Sequence, residues 1–150
     1  MASLPLGAAR QHPVDPTLLN YKSIEGLEYI ETRPLEAFPR SVAYRKCEDG
    51  GQMRVRNNSP EILDVDLTEE QARTYIAAIV EAGIFAWRRV YRPAQGIFAM
   101  ESVNWRLEVT FTGGEGGSIP RPFRVEGENV FPDTYQAGVG ALMQVPDGAE

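Results

Sequence analysis

Val103-Asn104-Trp105-Arg106-Leu107-Glu108-Val109-Thr110-Phe111 alternates apolar and polar side chains without a break. A period of two puts the apolar members on one face of a strand and the polar members on the other. One face therefore belongs to a core and the other to water. Gly113-Gly114-Glu115-Gly116-Gly117 ends the run, and Phe123 and Val125 beyond it mark a partner strand. The two make a long-looped hairpin. Trp105 falls between Val103 and Leu107 on the apolar face, so a helix is expected to cover it.

Upstream, Ser41–Glu48 and Gln52–Asn57 flank Asp49-Gly50-Gly51, a second hairpin signal. With Asp49-Gly50 as a type I′ turn, Tyr44 lies opposite Val55 and Lys46 opposite Met53. Val42, Tyr44, Met53 and Val55 then share one face, and Ala43, Arg45, Cys47, Arg54 and Arg56 the other. Gly26–Arg33 reads as a first strand, Leu63, Val65 and Leu67 as a short one, and Ile84–Tyr91 as another. Thr68 with Gln71 has the capping-box spacing, and Glu69 and Glu70 suit the positive end of a helix dipole. Ala72, Tyr75, Ile76, Ile79 and Val80 form one buried stripe that Gly83 ends. This helix, Thr68–Ala82, is the one expected over Trp105. Pro132 at the first helical position opens a last helix to about Met143, which Gly138 and Gly140 weaken by about 1 kcal/mol each.

Runs of strands punctuated by two helices imply an α+β fold. The expectation is an antiparallel β-sheet built from hairpins, with helices at about 68–82 and 132–143 packed on one face. Residues 1–20, which include Pro5, Pro13 and Pro16, read as an extended, partly mobile arm. Residues 21–145 form a single domain and 146–150 a tail.

A chain of 150 residues buries enough surface to fold without a disulfide or metal. Its one cysteine, Cys47, fits a reducing compartment. Met1–Gln11 has no apolar core of the signal-peptide kind, and no apolar run is long enough to span a bilayer. A cytoplasmic protein without a membrane partner is expected. A net charge of −6 repels phosphate backbones, so nucleic acid is not an expected partner either.

The catalytic inventory is thin. His12 is the single histidine and lies in the proline-rich arm, so neither a Ser-His nor a Cys-His pair can be built within an element. One His and one Cys fall short of the usual zinc sets, and Asp64-Val65-Asp66 lacks the spacing and glycine of a calcium loop. The glycine run at 113–117 lacks the Lys-Ser/Thr ending of a phosphate loop. No catalytic residue, metal site or cofactor is assigned. Glu108, Glu126 and Glu128 are the only acid–base candidates. Cys47 reads as an inert, half-buried thiol, although Arg45 and Arg54 beside it would favour a thiolate. Two arginine groups are candidates for holding an anion or a partner carboxylate: Arg45, Arg54 and Arg56 on one hairpin face, and Arg88, Arg89 and Arg92 around Trp87 and Tyr91. The competing reading is that they are solvated or paired with glutamates.

Trp105-Arg106-Leu107-Glu108-Val109-Thr110-Phe111 is followed by Phe123-Arg124-Val125-Glu126-Gly127-Glu128-Asn129-Val130-Phe131-Pro132 and Tyr135. This order resembles a recurrent small α+β domain of bacterial proteins, in which a W-x-L-x-V-x-F strand precedes a G-x-N-x-F-P element and a final helix. Gly83-Ile84-Phe85-Ala86-Trp87 after the upstream helix resembles it too. The resemblance spans about residues 40–143 and implies a fold, with no activity attached. Val103-Asn104 stands where that domain has Asp-Gly. Within the element, Gly127 suits a positive φ, Asn129 an Asx-type turn and Pro132 a helix start. Gly127 and Asn129 are also weak ligand candidates, because a helix N-terminus attracts anions.

The expected function is a non-catalytic binding or interaction module with a protein partner, of immunity or regulatory type. The alternative is a binder of small molecules or anions through the sheet face or the Gly127–Pro132 element. A small hydrolase-like enzyme comes last.

Overall fold

A computed structural model describes residues 13–94, 102–113 and 119–150. His12, Met1–Gln11 and most of the glycine run at 113–117 lie outside the described residues. In chain order the elements are β1 (Ile24–Thr32), β2 (Arg40–Cys47), β3 (Gly50–Asn57), β4 (Leu63–Thr68), α1 (Glu69–Glu81), β5 (Val90–Tyr91), β6 (Asn104–Phe111), β7 (Phe123–Glu128) and α2 (Tyr135–Met143). The strands form one seven-stranded sheet in the order β4-β3-β2-β1-β6-β7-β5. Every pairing is antiparallel except the short β5–β7 contact. The fold is therefore α+β, as the strand and helix patterns imply.

The alternating run at 104–111 is β6, near the middle of the sheet. It pairs with β7 through a long loop and with β1, which precedes it by about eighty residues: Leu27 faces Val109 and Tyr29 faces Leu107. The apolar sides of all these strands share one face, and both helices lie on it. α1 begins where the sequence places it. Thr68 Oγ1 accepts from Gln71 N–H at 3.2 Å, and Gln71 Oε1 accepts from Thr68 N–H at 2.8 Å. Ala72, Tyr75, Ile76 and Ile79 are buried, and Gly83 closes the helix at φ 83°. α1 covers β3 and β4, with Tyr75 against Tyr44 at 5.4 Å between ring centroids.

Several expectations need correction. The β2–β3 turn is Glu48-Asp49, with Cys47 opposite Gly50 and Tyr44 opposite Met53. Gly50 and Gly51 belong to β3, paired with both β2 and β4, and side chains do not fit at either position. A Cβ on Gly50 would strike the Leu67 carbonyl, and one on Gly51 would lie 2.6 Å from the Tyr44 ring. The register moves by two, so the division into faces survives. Ile84–Tyr91 is not a strand. Ile84–Ala86 forms a 3-10 turn and only Val90–Tyr91 pairs, with β7. The apolar run serves as a plug between helix and sheet, with Phe85 5.0 Å from Phe123 and Ile84 and Trp87 both buried. The last helix starts at Tyr135. Pro132 sits in the preceding turn, where its carbonyl accepts from Tyr135 N–H at 3.0 Å.

Trp105 is 2% exposed, but α1 does not cover it. It lies under Tyr135 of α2 at 4.9 Å, edge-on to Trp87 at 5.8 Å, with Tyr91 and Phe131 completing an aromatic nest. At the chain ends, Pro16–Leu18 forms a 3-10 turn capped by Asp15, and Asp66 N–H on β4 donates to the Glu150 carbonyl at 2.6 Å.

Candidate functional site

The face opposite the helices is covered by no described element. Cross-strand register arranges its side chains in rows. One row runs Asp64, Arg54, Ala43, Glu28, Glu108, Arg124 from β4 to β7. The next runs Arg56, Ser41, Ile30, Arg106, Glu126. The middle strands carry Gly26, Ser41 and Ala43, so the floor is low while long charged side chains stand on either side. Gly26 is required because a Cβ there would lie 2.8 Å from the Tyr44 carbonyl oxygen. Two adjoining hollows of about 820 and 610 Å³ result, and the smaller is lined by Ile30, Ser41, Ala43, Arg54, Arg106 and Arg124, among others.

Most of these charges are already occupied. Arg54 holds Asp64 at 2.8 Å, which keeps the Asp64 carboxyl below its ordinary pKa. Arg124 holds Glu108 at 2.6 Å, and Arg92 holds Glu126 at 3.3 Å. Arg45 donates to Gln52 at 2.9 Å, and Arg56 lies over the Phe38 ring at 5.5 Å. Glu128 accepts from Ser102 at 3.3 Å. Arg88 stacks on Tyr91 at 4.9 Å. Arg89 and Arg106 have no ion-pair partner among the described residues.

The structure thus spreads the sequence candidates rather than gathering them. Arg54 and Arg89 line the smaller hollow, while Arg45, Arg56 and Arg88 do not. Arg106 and Arg124 join them there, and the sequence reading did not single them out as ligands. The available signal was the polar phase of the period-two strands β6 and β7. Cys47 is half-buried, its thiol 3.9 Å from the Arg45 carbonyl.

Gly127 and Asn129 have structural tasks that differ from the expected ones. Gly127 shows no positive φ; it lies in β7 directly opposite Trp105, and a Cβ there would enter the indole. Asn129 does adopt φ 56°, but its side chain reaches across the sheet instead of making a local turn. Its Oδ1 accepts from Val103 N–H at 2.7 Å, and its own N–H donates to the Val103 carbonyl at 2.9 Å. The G-x-N element therefore clamps the start of β6.

A second cluster escaped the sequence reading altogether. Glu31 is in phase with Leu27 and Tyr29 on the covered face and is 1% exposed. Its Oε1 accepts from Tyr135 Oη at 2.7 Å and from Arg40 at 2.9 Å, and its Oε2 accepts from Arg33 Nε at 3.1 Å. The Tyr29 and Tyr135 hydroxyls are 2.6 Å apart. Burial pushes the Glu31 carboxyl up, but the Tyr135 hydrogen bond and the Arg40 charge together outweigh burial and leave it below its ordinary value. Burial raises the Tyr29 hydroxyl to about 12 and drives Tyr135 well above its usual range. Sealed from solvent, this carboxylate ties α2 to β1 and β2 rather than meeting a ligand.

Fold and surface together define a small α+β domain with one face of its sheet covered by no described element. Comparison with protein-family models, curated proteins and solved structures finds no match in any of the three. No helix among the described residues is long and apolar enough to cross a membrane.

Proposed function

We propose that the chain is a non-catalytic binding module, of immunity or regulatory type, that receives a protein partner on the bare face of its sheet. The width of that face carries the reading. Six strands about 4.8 Å apart and some 20–30 Å long present roughly 600–700 Å². One side of an ordinary protein interface is about 800 Å². Of the three glutamates that are candidates in the sequence, Glu108 and Glu126 are each held by an arginine and Glu128 accepts from Ser102. An acidic chain with a single cysteine suits the bacterial cytoplasm and a partner other than nucleic acid.

Ala43→Arg tests it by raising the floor of the face without touching the core. The variant should keep the wild-type circular dichroism spectrum and lose whatever protein the wild type retains from lysate of its own cell. If the two chains retain the same proteins, or the wild type retains none, the reading is wrong.

A second reading is favoured by one observation. The hollow of about 610 Å³ is of small-ligand size, typically about 300–1,000 Å³, and it contains Arg106 and Arg89, neither with an ion-pair partner among the described residues. On this reading the bare face binds a small anion.

A further inference from the structure

We propose that this hollow is a receiving site for a small organic carboxylate, with Arg106 as its anchor; the proposal rests on the small-anion reading of the bare face. Charges on β6 and β7 form a checkerboard: Arg106 faces Glu126 and Glu108 faces Arg124. Opposite charges at directly facing positions ordinarily neutralise one another. Glu108 and Arg124 do so, at 2.6 Å. Glu126 instead takes Arg92, at 3.3 Å. Arg106 is left with its guanidinium unclaimed among the described residues.

Its surroundings suit one kind of occupant. Across the β1 seam Arg106 faces Ile30, which is half-buried, and Ala43 lies on the next strand. These give an apolar floor beside a planar fork of N–H donors. A fork of that shape grips a carboxylate through two parallel hydrogen bonds. The hollow is lined by four arginines and three glutamates, an excess of one positive charge on a chain whose net charge is −6. A monoanion neutralises that excess. A phosphate dianion overshoots it and meets Glu28, Glu108 and Glu126 in the same hollow. The complementary ligand is therefore a carboxylate on an aliphatic body, with the head on Arg106 and the body over Ile30 and Ala43.

The experiment titrates the isotope-labelled full chain with hexanoate, its neutral analogue hexanamide and inorganic phosphate, at about 0.15 M salt to suppress non-specific attraction. The signals followed are the Arg106 Nε–H and the amides of Ile30 and Ala43. Hexanoate should shift all three to saturation, hexanamide should not, and phosphate should bind at least about tenfold more weakly. Arg106→Gln should weaken hexanoate by about tenfold or more while leaving the rest of the spectrum in place. Arg106→Lys, which keeps the charge and loses the fork, should fall between them. Phosphate binding as tightly as hexanoate would overturn the carboxylate assignment and leave an anion site standing. No response to either anion would overturn both. Undiminished hexanoate binding by Arg106→Gln would remove Arg106 from the site.

Discussion

Glu31 is the one charged side chain that is fully buried among the described residues. Its cost is offset by four donors drawn from β1, β2, α2 and the β1–β2 loop. Removing the charge would leave Arg40, itself mostly buried, without its counter-ion, and breaking such a pair costs about 3–5 kcal/mol. Glu31→Gln should therefore lower the urea midpoint sharply at neutral pH. The pH dependence follows from the direction of the shift. A carboxyl held below its ordinary value of 4.5 binds its proton more readily unfolded than folded. It thus adds stability above that value, and the stability drains away as pH falls through the lower folded value. Wild type should lose stability in that acidic window, and Glu31→Gln should lose less. A variant as acid-sensitive as its parent would show that Glu31 is not the titrating group.

At the scale of elements, α2 contains two glycines that the sequence treats alike and the structure does not. A Cβ on Gly138 would lie 2.5 Å from the Trp87 ring, whereas one on Gly140 meets nothing within 4 Å. Glycine in a helix interior costs about 1 kcal/mol relative to alanine. Gly140→Ala should recover up to about that much. Gly138→Ala should instead destabilise, by roughly 1–3 kcal/mol of overpacking, because Trp87 is pinned by its bond to Thr134 at 2.8 Å. Thermal or urea unfolding of the two variants reads the opposite signs. Stabilisation of both would mean that Trp87 yields easily. The same close approach explains two glycines of β3. Asp-Gly reads locally as a turn, yet Gly50 and Gly51 pair within the strand, where β4 and Tyr44 leave no room for a side chain.

For the whole molecule the decisive seam is β1–β6. It joins an amino-terminal unit of β1 to α1 with a carboxy-terminal unit of β6, β7 and α2, and no hairpin connects the two strands. Each unit alone would leave its seam strand, β1 or β6, as an unpaired edge with part of its apolar face uncovered. Leu27 and Tyr29 would lack Val109, Leu107 and Tyr135, and Trp105 would lack Trp87 and Tyr91. A chain cut between Ala94 and Ser102 should therefore yield two pieces that show no cooperative unfolding separately and regain helix and sheet signal when mixed. A cooperative urea transition in either piece by itself would contradict this.

Period and capping encode β6 and its apolar face, the division of β2 and β3 into faces, α1 from its capping box to Gly83, and the α+β class. Such signals are local, since a residue's phase along its own strand or helix fixes which way it points. What depends on partners distant in the chain was settled by packing and strand register. Trp105 found α2 instead of α1, Ile84–Trp87 became a plug, and Gly127 was required by an indole on the neighbouring strand. The buried Glu31 looks in the sequence like any strand glutamate until Arg40 and Tyr135 converge on it. The candidate site is of the same kind. Arg106 is one of 13 arginines in the sequence, and it stands out only because register sets it against Glu126 and Arg92 then takes that partner away.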